Sequence, residues 1–457
     1  MDVPDKNLPP RAVGGRTIAD AVIAAVASTS PVEPRGRVVA AGEHVVEIEG
    51  LSAFGTVGGT VELADRGGAQ ILGEIVGFRD ERAIVMGLQA LSNLGPGCGA
   101  RLVHAAAEIH PSRSWLSRIF DGTGTVIDGG SPPGAGSSRY PLRAASPPAT
   151  RRGLVAERID VGIAALNTFV TCCRGQRLGI FAGSGVGKTT LLGMLTRNVE
   201  ADAVVIALVG ERGKELSEFL ERYLPEDVRR RTVVVISTSD QTAILRRRAV
   251  LVATAIAEKL RDDGLHVAFF LDSLTRYAMA LREIGLAAGE PAGPSGYPAS
   301  VFAELPKIVE RLGPGEGGQA ITAFLSVLVE GDDMNEPISD AVRGIIDGHV
   351  VLDRKIADGG RYPAIDVARS VSRSMPHCNR PEESVLIGEA LRLEAVYRDI
   401  EDLYKLSIYK KGANADIDRA IDFHGRLEAF LAQPTEATID LERGFAGLGE
   451  LISGTTP

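Results

Sequence analysis

Residues 182–190 read Ala-Gly-Ser-Gly-Val-Gly-Lys-Thr-Thr. This is close to the phosphate-loop template G-x-x-x-x-G-K-[ST], with Ala182 in place of the first glycine. An apolar run, Arg177–Ala182, precedes it, and a helical pattern over Lys188–Val199 follows. In that setting Gly183, Ser184, Gly185, Val186 and Gly187 would curl backbone N–H groups around phosphate oxygens. The N-terminus of the helix adds its partial positive charge. Lys188 would reach the β/γ-phosphates, Thr189 would ligate magnesium, and Thr190 completes the loop. The chemistry so placed is phosphoryl transfer.

Such a site needs a second oxygen ligand for magnesium. Val267-Ala268-Phe269-Phe270-Leu271-Asp272 is an apolar strand ending in a carboxylate, downstream of the phosphate loop. Alone the signal is weak, because buried strands often end in Asp. A carboxylate that polarises water is also needed. Val209-Gly210-Glu211-Arg212-Gly213-Lys214-Glu215 closes the strand after the phosphate-loop helix and supplies Glu211, with Arg212 near phosphate or a subunit boundary. By spacing alone, a solvated charged turn is the better account of this stretch.

The elements around these residues set the fold class. From Arg177 to about Asp353, apolar strands alternate with helices: strands at Arg177–Ala182, Ala203–Val209, Thr232–Ser237, Val267–Leu271, Ala320–Val329 and His349–Leu352, with helices notably at Lys188–Val199, Ala243–Asp262 and Val301–Leu312. That is the pattern of an α/β core, a mostly parallel sheet covered on both faces. Before it, residues 31–105 offer short runs at Arg37–Ala40, His44–Ile48, Thr60–Leu63, Ala69–Gly77 and Arg82–Gly87, separated by glycine-bearing turns, which suggests a small β-barrel. Residues 128–152 read as a Gly/Ser/Pro-rich loop or linker. After about Arg380 strands stop, and Glu382–Tyr409, Asp416–Gln433 and a last short helix ending near Ser453 make a small helical C-terminal domain. The expected division is therefore 1–30, 31–105, 106–380 and 381–457. In the first segment Ile18, Val22, Ala25 and Val26 share one face of a short helix, either packed on the chain or docking a partner or membrane.

The chain's 457 residues carry a net charge of −9, with 44% hydrophobic and 24% charged residues. That balance is soluble and globular and argues against a nucleic-acid coat. No apolar run is long enough to cross a bilayer, and Asp2, Asp5 and Asp20 argue against a secretory leader. Cys98, Cys172, Cys173 and Cys378 form no C-x-x-C, so a reduced cytoplasmic setting is expected. The histidines form no zinc-binding pair, and no G-x-S-x-G turn is present.

Phe181–Thr190, Val209–Glu215, Asp272-Ser273-Leu274-Thr275-Arg276-Tyr277-Ala278 and Gly296-Tyr297-Pro298-Ala299-Ser300-Val301-Phe302 together resemble the rotary ATPase catalytic-subunit superfamily. Glu330-Gly331-Asp332-Asp333-Met334-Asn335-Glu336-Pro337 and Asp347-Gly348-His349 resemble its type III secretion ATPases, in particular the flagellar export branch. The resemblance spans roughly residues 30–435. It implies a RecA-like core that hydrolyses ATP with magnesium. It implies Glu211 as catalytic base, Glu215 ordering magnesium-bound water, Arg276 near the phosphates or a subunit boundary, and Tyr362 packing on adenine. It implies Arg373, in Val371-Ser372-Arg373, as an arginine finger into a neighbouring subunit's site. An aromatic expected near the adenine is missing from Gln433-Pro434-Thr435. One chain holding both Glu211 and Arg373 could build complete sites from its own copies, and a closed ring of identical chains would be a homohexamer.

The implied setting is protein export at the flagellar base, on the cytoplasmic face of the inner membrane. The implied partners are a stator-like regulatory dimer at the N-terminus, a coiled-coil central stalk, chaperone–substrate complexes and the membrane export gate. An injectisome ATPase is the nearest alternative. A proton-driven ATP synthase catalytic subunit would carry an acidic Asp-Glu-Leu-Ser-Glu-Glu-Asp stretch that has no match here. A ring-shaped RNA translocase would need a basic, aromatic barrel, but this one has only Phe54 and Phe78 as aromatics and no lysine. A non-catalytic scaffold subunit would lack Glu211.

Overall fold

The computed structural model describes residues 33–155, 157–329, 331 and 333–454. The expected terminal helix with Ile18, Val22, Ala25 and Val26, and Glu330 and Asp332 of the acidic segment, lie outside them.

Strands β1 (Arg35–Ala41), β2 (Val45–Glu49), β3 (Thr60–Ala64), β4 (Gln70–Arg79), β5 (Arg82–Gly87) and β6 (Gly99–His104) form a closed barrel in the order β1-β2-β5-β4-β3-β6. Alternating side chains point inward, so Val38, Val46, Ile48, Val61, Leu63, Ile75 and Val85 make one buried core. Strand β6 was not among the expected runs. It closes the barrel by pairing with both β1 and β3, which removes the free edges.

A linking region follows, with β7 (Glu108–Ile109), β8 (Ile119–Asp121) and β9 (Tyr140–Pro141). The Gly/Ser/Pro-rich loop follows β8 and carries β9, which pairs with β7, and a 3-10 turn at Ala149–Arg151. The core then winds through α1 (Ala164–Phe169), β10 (Arg177–Ala182), α2 (Lys188–Asn198), β11 (Ala203–Glu211), α3 (Gly213–Tyr223), α4 (Glu226–Arg230), β12 (Thr232–Thr238) and α5 (Ala243–Asp262). It continues with β13 (Val267–Asp272), α6 (Leu274–Ala287), α7 (Ala299–Arg311), β14 (Ile321–Leu328), α8 (Pro337–Ile345), β15 (Gly348–Leu352), α9 (Arg354–Asp358) and β16 (Val371–Ser372).

The sheet order is β16-β15-β10-β14-β13-β11-β12-β8. Its pairs are parallel except for β15–β16, which is antiparallel. Its central strands are buried on both faces, beneath two apolar clusters, as near-continuous Val/Ile/Phe/Leu runs require.

The barrel is fixed to the core by polar and apolar contacts. Met86 and Leu88 pack on Ala243 and Ile244 of α5 and on Ala280 and Ile284 of α6. Glu74 of β4, 3% exposed, accepts from the guanidinium groups of both Arg247 and Arg248 on α5, the latter at 3.1 Å. The C-terminal region is helical: α10 (Met375–Cys378), α11 (Pro381–Lys405), α12 (Ala415–Leu431) and α13 (Leu441–Ser453). Leu393, Phe423, Leu427 and Leu448 from this region join the same core cluster as the phosphate-loop helix.

Candidate functional site

The expected chemistry gathers at the carboxyl ends of β10, β11, β13 and β14, where open parallel sheets place ligands. The loop after β10 depends on glycine at two positions. Gly185 has φ +78° and Gly187 φ +93°, a left-handed backbone that other residues adopt at a cost. Gly187 is also the N-cap of α2, so Lys188 and Thr189 start the helix.

Strand β11 carries a bulge at Gly210. Val209 pairs with Ser237, but Glu211 pairs with the next residue, Thr238, and Gly210 sits at φ +74°. A bulge re-aims the side chain that follows it, and here that is Glu211. A Cβ at Gly210 would lie 3.0 Å from Cβ of Arg276, so the glycine also admits that arginine beside the loop. Strand β13 ends at Asp272. Ser273 then caps α6 by accepting from the backbone N–H of Arg276 at 3.2 Å, which sets the start of that helix.

Lys188, Thr189, Glu211 and Arg276 line a cavity of about 670 Å³, with Asp272 directly behind Lys188. The Lys188 ammonium donates to Oδ1 of Asp272 and stands 3.6 Å from Oε1 of Glu211. Asp272 is 5% exposed, and Ser326 of β14 donates to the same Oδ1 at 2.7 Å. Oε1 of Glu211 is buried without a hydrogen-bond partner. Burial pushes the Glu211 carboxyl above its ordinary range; the Asp272 charge adds to that, and Lys188 and Arg276 oppose it. For Lys188 burial favours the neutral amine, but the carboxylates of Asp272 and Glu211 outweigh it and hold the ammonium above its usual value.

Thr189, Thr190, Glu215, Arg212 and Arg276 all line this cavity with the loop glycines and Ser184. Val186 is buried behind them. The Tyr223 hydroxyl donates to Oγ1 of Thr190 at 3.3 Å. Glu215 lies in the first turn of α3 and Arg212 is its N-cap. The Tyr362 ring lies 3.4 Å from where a Cβ on Gly187 would sit, and is 45% exposed. Its carbonyl accepts from the N–H of Gln433 at 2.9 Å, so the segment without an aromatic is next to it.

Arg373 is not brought to this cavity. It follows the edge strand β16, is exposed, and donates from its guanidinium to the Arg343 carbonyl at 3.2 Å. Two other residues belong to the site and were not foreseen. Ser326 is one of two buried polar residues in β14, the other being Thr322, so its type alone does not mark it. Arg354, at the start of α9, donates to the Ser184 carbonyl at 3.1 Å and lines the cavity; no sequence pattern marked it.

The residues fit a magnesium–nucleotide. Among the described residues no group of three or more His, Cys, Asp or Glu could hold a metal on its own. Magnesium commonly uses one or two protein oxygens plus substrate phosphates. Thr189 and Asp272 beside a glycine cradle and an orphaned Glu211 oxygen are such a set.

Residues 162–372 match the ATP synthase alpha/beta family, nucleotide-binding domain, and residues 380–450 match the T3SS EscN ATPase C-terminal domain. A flagellum-specific ATP synthase of Caulobacter vibrioides is 46% identical, with 94% of this chain and 98% of that protein aligned. The chain belongs to the flagellar and type III secretion ATPase family. The SPI-2 type 3 secretion system ATPase of Salmonella typhimurium is 43% identical over 79% of this chain and 83% of its own. The assembled ATPase EscN of enteropathogenic E. coli superposes with a TM-score of 0.86 at 34% identity, covering 91% of this chain and all of that one. The family fixes the enzyme class: this is an ATPase, with the expected barrel, RecA-like core and C-terminal helices.

Proposed function

We propose that this chain hydrolyses magnesium-ATP to drive or prepare protein export at the flagellar base. The observation that carries the reading is the contact of Lys188 with Asp272 and its approach to Glu211 in one phosphate-loop cavity. The ammonium that now faces two carboxylates is free to move to the β/γ-phosphates when nucleotide enters. Backbone N–H groups of residues 183–190 cradle the phosphates. Thr189 and Asp272 would hold magnesium, with Glu215 ordering its water; the metal supplies charge neutralisation at the phosphates. Glu211 accepts a proton from the attacking water as its oxygen bonds to the γ-phosphorus and ADP leaves. Tyr362 packs on adenine beside Gln433, and Arg276 and Arg212 lie at the cavity edge.

Arg373 does not line its own chain's cavity, and in this reading it completes the site of a neighbouring copy. That calls for a ring of identical chains, a homohexamer by closure of a head-to-tail contact. EscN has been solved as an assembled ATPase and in complex with its central stalk EscO. By that likeness this chain takes a coiled-coil stalk. Residues 1–30 would dock a stator-like regulatory dimer, 31–105 form the ring's barrel tier, 106–380 the ATPase and 381–457 the tier that meets chaperone–substrate complexes and the export gate. The working place would be cytoplasmic, at the inner membrane, with no nucleic acid involved. None of the helices among the described residues is long and apolar enough to span a membrane.

The identity to flagellum-specific relatives favours the flagellum over an injectisome. Replacing the chromosomal copy by a Lys188→Ala version tests this. External flagellar subunits should vanish from the medium; loss of injectisome effectors alone would favour the alternative.

A further inference from the structure

Ser326 sits in β14, the strand between β10, which leads into the phosphate loop, and β13, which ends at Asp272. Its side chain is fully buried, among Phe324, Leu325 and Val327. A hydroxyl in that setting needs a partner. Ser326 is paired in register with Ile180 of β10, and it stands one residue beyond the Leu271–Leu325 pair of β13–β14. This register sets its Oγ 2.7 Å from Oδ1 of Asp272.

Oδ1 therefore has two donors of different character. Lys188 is a mobile ammonium on a long stem; Ser326 is a short hydroxyl on a central strand. If Lys188 moves to phosphate, Asp272 loses one donor and keeps the other. We infer that Ser326 is a positioning residue: it fixes the Asp272 carboxylate through the exchange, with Oδ1 engaged and Oδ2 left to face the metal and its water. This rests on the reading of Asp272 as the magnesium carboxylate. Ser326 does not line the cavity and touches neither nucleotide nor reacting atoms. Its effect passes through Asp272, in the manner of groups that orient metal ligands.

The test uses the full chain and a fluorescent ATP analogue, in EDTA and then in a magnesium titration. Ser326→Ala should leave affinity in EDTA unchanged and raise the magnesium concentration for half-maximal metal-dependent binding by about 10-fold, the lower end for loss of such a partner. Ser326→Cys, which keeps the volume but replaces the strong donor, should behave like Ala. Ser326→Thr, which keeps the hydroxyl, should restore the wild-type midpoint. A melting temperature that falls in Ser326→Ala while the magnesium midpoint stays put would make the serine a packing residue and overturn the inference. Asp272→Asn separates the two levels. If it abolishes the magnesium-dependent gain while Ser326→Ala does nothing, only the role of Ser326 fails. If Asp272→Asn leaves the magnesium response intact, the reading of Asp272 fails and takes the role of Ser326 with it.

Discussion

Lys188, at the first position of the helix after the phosphate loop, is held by Asp272, the last residue of a strand two places away in the sheet. The pair joins the element proposed to bind phosphate to the element proposed to hold metal. With Glu211 at 3.6 Å, the ammonium has one more carboxylate than it can neutralise. Arg212, Arg276 and Arg354 line the same cavity, so cationic side chains stand beside the carboxylates where a magnesium–nucleotide would enter.

Lys188→Ala removes the charge proposed to meet the phosphates. A hydrogen bond to a charged group contributes about 1.5–3 kcal/mol, so nucleotide affinity should fall by about 10–100-fold and turnover should be lost. Equilibrium binding of a fluorescent nucleotide and a phosphate-release assay check this, with circular dichroism confirming the fold. Near-normal turnover would exclude the site.

Glu211→Gln keeps shape and removes the proposed base. Turnover should drop by about 10²–10⁴-fold while ATP affinity holds. The pH dependence has a definite sign. Burial raises the Glu211 carboxyl above its ordinary value of 4.5, and a base must be ionised to act. The acid limb of kcat/KM should therefore lie above the usual carboxylate range. Stability runs the other way: a raised folded-state value contributes stability that is present at low pH and lost as pH rises through it. Glu211→Gln should melt progressively higher than wild type as pH increases. Parallel melting curves across pH would contradict the assignment.

Glu74→Ala tests the barrel–core junction. It leaves Arg247 and Arg248 buried without their shared carboxylate. Removing one partner of a buried ion pair costs about 3–5 kcal/mol. The expected result is a lower urea midpoint, with the magnesium response of the ATP site unchanged in protein that remains folded.

Much of this architecture is legible in the chain itself. Arg177–Ala182 and Ala243–Asp262 have in the structure the bounds their patterns predict, because a continuous apolar run or a long helical face leaves little choice of register. The strands that escaped notice were short or mixed. Gly99–His104 contains two basic residues and becomes a strand through its pairing with β1 and β3; Ile119–Asp121 and Val371–Ser372 have too few residues to show a period. Helix α6 begins inside the Asp272–Ala278 motif, where Ser273 caps it, so its start carries no separate boundary signal. In the site, glycine and lysine spacing marked the loop. Ser326 and Arg354 could be found only once the fold set them against Asp272 and Ser184, because such contacts depend on sheet order.

The central claim is that Glu211 and Arg373 serve one reaction from two copies of the chain. Arginine fingers contribute about 10³–10⁵ in kcat. Arg373→Ala and Glu211→Gln should each bind ATP and hydrolyse it very slowly. Mixed as dissociated chains and then allowed to assemble, they should form some interfaces that pair an intact Glu211 with an intact Arg373. ATPase activity should reappear in the mixture and rise with protein concentration. No recovery, in mixed rings confirmed by native mass spectrometry, would mean that Arg373 acts within its own chain or not in catalysis.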